Sequence, residues 1–259
     1  MAEQTYQTDI IVLKKTKLKE TDLIIEALSD TGSLVKFVAK GARKPGSSFS
    51  SRLELGAYAN ALCVHGKNLD ICKEARLVNA HALLRNDVDR SLSMQCILEI
   101  LSKTALSKLD NPKVFAMSVS VLDALDDCEK SALGFLVSAF YLKLFAFLGI
   151  KPALDSCASC GHDIDKSNDE SPHAHVAFSY ENGGVLCRVC AANADALLID
   201  ANLISWMNWL LNSTFADICA HLPEETIASS VLGICKRWVS VHIQTNLKSL
   251  DFLIGDKYR

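Results

Sequence analysis

Neither an H-E-x-x-H nor an H-x-E motif occurs among the 259 residues, and no carboxylates cluster at a recognisable metal-binding spacing. The usual signatures of metal hydrolases and nucleobase deaminases are therefore missing. "GARKPGSS" sets Gly41 and Gly46 at the G-x-x-x-x-G spacing of a phosphate loop, but Ser47 stands where the lysine belongs. Without that ammonium nothing reaches the β- and γ-phosphates, so an NTPase is not expected. Aromatic residues make up only 7%, and the first eighty residues hold no tryptophan. The start, "MAEQTYQTDIIVLKK", lacks a basic segment followed by an apolar run, so no secretory signal is expected. The most apolar stretch, Ser131 to Gly149, is short for a membrane span and carries Lys143. It is expected to be a buried core helix, with no membrane partner.

Cysteine, by contrast, is plentiful. Ten residues are about 4% of the chain, below the density of a disulfide scaffold. In a reducing cytosol, paired cysteines bind metal more often than they bridge. The net charge of −3 hides an asymmetry. Residues 1–80 carry twelve Lys and Arg against nine Asp and Glu, while the remainder carries fifteen against twenty-one. A basic N-terminal module on an acidic body can bind phosphates with one face.

The first eighty residues read as strands: "TDIIVLKK", "DLIIEALS", "LVKFVAKG", "AYANALCV" and "LDICKEARLV" are short, rich in Val, Ile and Leu, and separated by turn signals. Five short strands in this length suit a small closed barrel, the five-stranded OB-fold. Beyond Arg76 the period becomes helical. "SLSMQCILEILSKTALSKL" has one apolar face, and "NPKVFAMSVSVLDAL" opens with Asn111 as N-cap and Pro112 at the first helical position. Gly149 and Pro152 stop the core helix, and helices resume at "DANLISWMNWLL" and after Pro223. Trp206 and Trp209, three apart on one of these helices, are expected in the core. The expected class is α+β: an N-terminal five-stranded OB-fold β-barrel (1–80), then an all-α helical domain (81–259). That domain carries a four-cysteine, zinc-ribbon-like insert at about 153–195.

Within the insert, Cys157 and Cys160 form one C-x-x-C and Cys187 and Cys190 another, 26 residues apart. Each pair can present two sulfurs to one tetrahedral ion, and together they make a closed all-thiolate site for one structural Zn²⁺. Gly183 and Gly184 permit the tight turn that delivers the second pair on a short hairpin. A thioredoxin-type motif would need a strand–helix context absent here. His162, His173 and His175 lie nearby and read as surface loop residues. Cys63, Cys72, Cys96, Cys128, Cys219 and Cys235 sit in apolar or helical runs as packed thiols. In the barrel, Lys14, Lys15, Lys17, Lys19, Lys36, Lys40, Arg43 and Lys44 are the candidate DNA-binding residues, the last three on the "KGARKPGSS" segment. With only Tyr6, Phe37, Phe49 and Tyr58 available for stacking, binding should lean on phosphates and weaken with salt.

The run "TDIIVLKKTKLKETDLIIEALSDTGSLVKFVAKGARKPGSS" resembles the N-terminus of the RecO family of bacterial recombination mediators. "CASCG…FSYENGGVLCRVC" is similar to the zinc segment of many members, and "HIQTNLKSLDFL" looks like the family's closing helix. The resemblance spans essentially the whole chain. It implies zinc at the same four cysteines and an activity without catalysis. It further implies binding of single- and double-stranded DNA, annealing of complementary strands, and assistance to RecA loading on DNA coated by single-strand-binding protein. Its implied partners are RecR, the acidic C-terminal tail of the single-strand-binding protein and, indirectly, RecA, in the bacterial cytoplasm. On the residues alone two rival classes stay open: a thiol redox switch and a metal-dependent nucleic-acid enzyme.

Overall fold

The computed structural model describes residues 4–106, 110–164 and 174–257. Five β-branched and leucine-rich segments become β1 (Thr5–Leu18), β2 (Asp22–Ser29), β3 (Leu34–Ala39), β4 (Tyr58–Val64) and β5 (Asp70–Asn79). They close into a barrel in the order β1-β2-β3-β5-β4. Only the β3–β5 pairing is parallel. Its interior is filled by Ile10, Val12, Ile25, Phe37 and a set of alanines that includes Ala27, Ala39, Ala59, Ala61 and Ala75. Small side chains suit so narrow an interior, where large and small residues must alternate to fit the taper.

Four consecutive residues, Ile10 to Leu13, are buried, where a one-sided strand would alternate. Ile10 and Val12 belong to the barrel interior. A bulge between Val12 and Lys14 lets two residues of β1 oppose one step of β2. Outside the barrel, the helix α2 (Val88–Thr104) packs against β1 and β2. It follows the short α1 (Leu83–Asn86) and precedes α3 (Pro112–Asp127). Gly56 lies at φ +73°, and a Cβ there would stand 2.4 Å from Met94 Sδ on α2, so only glycine allows this approach. Fully buried His81 clasps the same region. Its Nδ1 is 2.8 Å from the Gly56 carbonyl and its Nε2 2.9 Å from Asp123 Oδ1 on α3. The barrel and α1–α3 form one compact unit, Met1–Asp127.

The second unit, Cys128–Arg259, is built on α4 (Leu133–Phe147). Lys130–Phe147 is long and apolar enough to cross a membrane by length and composition. Here α4 is the central core helix, with eleven of its fifteen residues buried. Packed on it are α6 (Ala201–Asn212), α7 (Phe215–Ala220) and α8 (Glu225–His242). Lys143, the one charge on α4, donates to the Leu211 carbonyl at 2.6 Å and caps the end of α6. A small sheet of β6 (His175–Ser179), β7 (Gly184–Leu186) and β8 (Leu197–Asp200), ordered β7-β6-β8, joins this core. Its anchor is Trp238 of α8, 1% exposed and packed among Phe145, Phe178, Tyr180 and His242. Its indole N–H donates to the Ile150 carbonyl at 2.9 Å. The architecture is thus α+β, a closed OB-like barrel followed by helices that carry a cysteine insert.

Two expectations need correction. The closing segment 242–253 is not one helix: α8 ends at His242, Gln244 takes φ +56°, and α9 (Lys248–Lys257) starts afresh. A β-branched and polar run, "HIQTN", has weak helix propensity, and Gln244 in the left-handed region ends the ladder. Trp206 and Trp209 are not in the core. Ile204, Met207 and Leu210 take the buried stripe of α6, and the two indoles are left half-buried beside it.

Candidate metal centre and nucleic-acid interface

Local backbone bonds build the first thiol pair into a knuckle. Cys157 N–H donates to the His162 carbonyl at 2.7 Å, and Gly161 N–H returns to the Cys157 carbonyl at 2.8 Å. The second pair arrives on the β6–β7 turn, where Gly183 and Gly184 have φ of +89° and +144°. A Cβ on Gly184 would lie 2.2 Å from the Ala153 carbonyl oxygen, so glycine is required for this close pass. Past the turn, Val185 N–H donates to the Ala153 carbonyl at 2.9 Å and Ala158 N–H to the Val185 carbonyl at 2.8 Å. These bonds sew the hairpin onto the knuckle. Cys187 then caps α5 (Arg188–Ala191), on which Cys190 sits one turn along.

The four sulfurs, from Cys157, Cys160, Cys187 and Cys190, all lie within 4.8 Å of one another. Cys160 Sγ and Cys187 Sγ are 3.8 Å apart. A disulfide needs about 2.05 Å, so these thiols are not bridged. Sulfurs at the corners of a tetrahedron with metal bonds of ~2.3 Å stand about 3.8 Å apart, which the observed separation matches. Four such donors leave no open coordination position. Desolvation works to raise the Cys157 thiol, but N–H groups of Cys187, Cys160 and Ser159 outweigh it and bring it down to about 6. The Cys190 S–H donates toward the Cys187 and Cys160 sulfurs, which pushes that thiol up to about 12. Cys157 is 2% exposed, the most buried of the four. His162 Nδ1 lies 3.4 Å from Cys160 Sγ, beside the four donors, and both His162 and His175 are exposed. His173 lies outside the described residues.

The eight basic candidates divide into two groups. Lys14 and Lys36 flank Glu26 at 3.6 and 3.3 Å, and Lys15 holds Glu54 at 2.5 Å. Lys17, Lys19, Lys40, Arg43 and Lys44 are exposed, with no ion-pair partner among the described residues. Lys17 lies near the end of β1, Lys19 on the β1–β2 turn, and Lys40, Arg43 and Lys44 on the loop after β3; that turn and that loop are laced together. Arg43 N–H donates to the Thr21 carbonyl at 2.9 Å and its guanidinium to the Glu20 carbonyl at 2.7 Å. Gly41 N–H donates to Asp22 Oδ1 at 2.8 Å. That bond, ahead of an opposing desolvation, holds the Asp22 carboxyl below its ordinary range, with Lys19 and Lys40 adding Coulombic support. The tying residues Glu20, Thr21 and Asp22 escaped the sequence reading, since nothing in their pattern shows which loop they meet. Of the barrel aromatics, Phe37 is fully buried and Tyr6 and Phe49 pack against the interior cluster. Tyr58 gives its hydroxyl to Asp9 at 2.9 Å. The cationic end therefore carries charge without a stacking platform.

Comparison with known proteins covers both units. The chain matches the family model described as "Recombination protein O N terminal" over residues 1–81 and "Recombination protein O C terminal" over residues 85–251. It is 24% identical over 251 residues to a protein of Desulforamulus reducens named "DNA repair protein RecO", covering 96% of this chain and 93% of that one. To a protein of the same name from Frankia casuarinae it is 28% identical over 250 residues, covering 96% and 98%. To one from Desulfitobacterium hafniense it is 30% identical over 186 residues, covering 71% and 64%.

Proposed function

The chain belongs to the RecO family of DNA repair proteins, and on that premise we propose that it is a non-enzymatic recombination mediator. It binds single- and double-stranded DNA, anneals complementary strands, and assists RecA loading onto single strands coated by single-strand-binding protein, together with RecR. The observation that carries this reading is the laced cationic end of the barrel: Lys17, Lys19, Lys40, Arg43 and Lys44, none in an ion pair among the described residues, on and beside two segments that hold each other in place. Phosphates are their natural ligands, and phosphate contacts position a strand without reading its bases. Annealing follows from the same chemistry, because neutralised strands repel less while the shortage of exposed aromatics leaves base edges free to pair. Lys14 and Lys36 are paired with Glu26 and Lys15 with Glu54, so they contribute less to phosphate binding.

In this reading the DNA-binding module is residues 1–80, and 81–259 is the helical domain with its insert at about 153–195. One Zn²⁺ is held by Cys157, Cys160, Cys187 and Cys190, where it joins the knuckle to the β6–β7 hairpin and supplies no reactive position. The acidic tail of the single-strand-binding protein and RecR are the protein partners, and the site of action is the bacterial cytoplasm at the nucleoid. The test is titration of fluorescent single strands at several salt concentrations, with unlabelled complement added at the end of each series. Affinity that falls steeply with salt, and pairing faster than that of the strands alone, support the reading. Absence of binding at low salt overturns it.

A further inference from the structure

The two tryptophans displaced from the core do not lie on open surface. Trp206 and Trp209 form one wall of a groove of about 620 Å³, with Asn202 and Ser205 beside them on α6, and Asp217 of α7 and His221 just past its end completing the lining with Ser213. Their rings meet edge to face, centroids 5.5 Å apart at 87°. Both walls are fixed. The opposite stripe of α6 is anchored in the core by Ile204, Met207 and Leu210. In turn, α7 is held by a reciprocal capping box between Thr214 and Asp217. A helix that leaves two indoles on its outer stripe presents a large, rigid, preorganised apolar surface.

We propose that this groove binds an arginine side chain presented by an extended segment of a partner protein. The hydrogen-bonding inventory points that way. Asp217 receives the Thr214 N–H and hydroxyl on Oδ2, at 3.2 and 2.7 Å, which leaves Oδ1 to accept. His221 Nδ1 lies 3.3 Å from the Asp217 carbonyl. That carbonyl can only accept, so Nδ1 carries the hydrogen, and in the neutral tautomer Nε2 is left as an acceptor. One wall thus offers π faces and the other offers unspent acceptors. A planar cation with a stackable face and donors around its edge satisfies both, and among side chains that is guanidinium. An ammonium supplies the charge but not the plane. The charge of the lining agrees: Asp217 is its carboxylate, and no Lys or Arg is among the described residues that line it. A nucleobase could stack on the indoles, but its phosphates would meet that carboxylate with no cation to offset it. The volume suits a side chain with its flanking backbone.

The test uses the full-length protein with ¹⁵N-labelled tryptophan, following the three indole N–H resonances. Buried Trp238 serves as internal reference. The probe is a blocked Gly-Gly-Arg-Gly-Gly peptide, compared with its lysine counterpart, an acidic peptide ending in phenylalanine, and oligothymidine. The expected result is a saturable shift of the Trp206 and Trp209 signals with the arginine peptide while Trp238 stays still. The lysine peptide should bind at least tenfold more weakly. Trp206→Leu, which keeps an apolar wall and leaves the α7 cap untouched, should reduce affinity by tenfold or more, and Asp217→Asn should also weaken it. No shift up to about 10 mM arginine peptide, a range that still detects binding near the weakest specific affinities, overturns the proposal. Equal response to lysine removes the stacking argument. Tighter binding of oligothymidine or of the acidic peptide at the same two signals assigns the groove to that ligand instead.

Discussion

Replacing Lys40, Arg43 and Lys44 together by alanine removes three of the five cations that lack carboxylate partners at the barrel's end. For single-stranded DNA each neutralised phosphate contributes about 0.7 to the slope of log affinity against log salt. About five contacts give a slope near 3.5, hence roughly 100-fold weaker binding when salt rises from about 50 to about 200 mM. The triple variant retains Lys17 and Lys19, so its slope should fall to about 1.4 and the same change of salt should weaken binding only about sevenfold. Fluorescence anisotropy with an oligothymidine at four or five salt concentrations measures both slopes. Lys15→Ala is the internal control. Its ammonium is already compensated by Glu54 at 2.5 Å, so the slope should move by less than about 0.3. The variant loses the Arg43 guanidinium bond to the Glu20 carbonyl but keeps the Arg43 N–H–Thr21 and Gly41–Asp22 ties, so the loop should hold its place. A triple variant with the parental slope would refute the assignment of phosphate contacts to this loop. A control that shifts as much as the triple variant would refute the division into paired and free lysines.

Cys187→Ser should abolish stoichiometric zinc in the purified protein, measured by atomic emission, and should loosen the insert while leaving the barrel's circular dichroism intact. His81→Ala strips hydrogen bonds from the Gly56 carbonyl and Asp123 and empties a fully buried site, so denaturant unfolding should show about 2–4 kcal/mol of destabilisation. Trp238→Ala should cost about 3–5 kcal/mol by the same assay, since it opens a cavity among Phe145, Phe178 and Tyr180. Asp22 supplies a pH dependence. Its carboxyl is held below the ordinary value, so the folded state binds fewer protons there than the unfolded chain. The Gly41–Asp22 tie is therefore fully present above about pH 4 and is lost as pH falls through the depressed folded value. The Gly41 amide proton resonance should follow that loss, and in Asp22→Ala it should be unresponsive to acid.

Much of this molecule was legible before any coordinates. Short runs rich in Val, Ile and Leu, separated by turn signals, placed all five barrel strands, because composition and turn residues are local properties of the chain. The four cysteines were equally plain, since a C-x-x-C presents two sulfurs to one ion whatever surrounds it, and the structure brings all four within 4.8 Å. One local signal was passed over: the Thr214–Asp217 capping box that opens α7 emerged only with the structure.

What sequence could not decide were relations between segments distant along the chain. That Lys15 is spent on Glu54, 39 residues on, while Lys44 is free depends on how β1 meets the loop before β4. That Ile11 and Leu13 are as buried as Ile10 and Val12 depends on α2 lying across β1 and β2. Trp206 and Trp209 are apolar enough for any core. They line a groove because Ile204, Met207 and Leu210 already occupy the one stripe of α6 that faces α4 and α8. The sequence by itself determined the elements, the metal donors and the sign of the charge on each half, all of which follow from residue chemistry at short range. Only the tertiary structure decided which charges are neutralised and which hydrophobic side chains remain in water, because both depend on the three-dimensional neighbours that close packing selects.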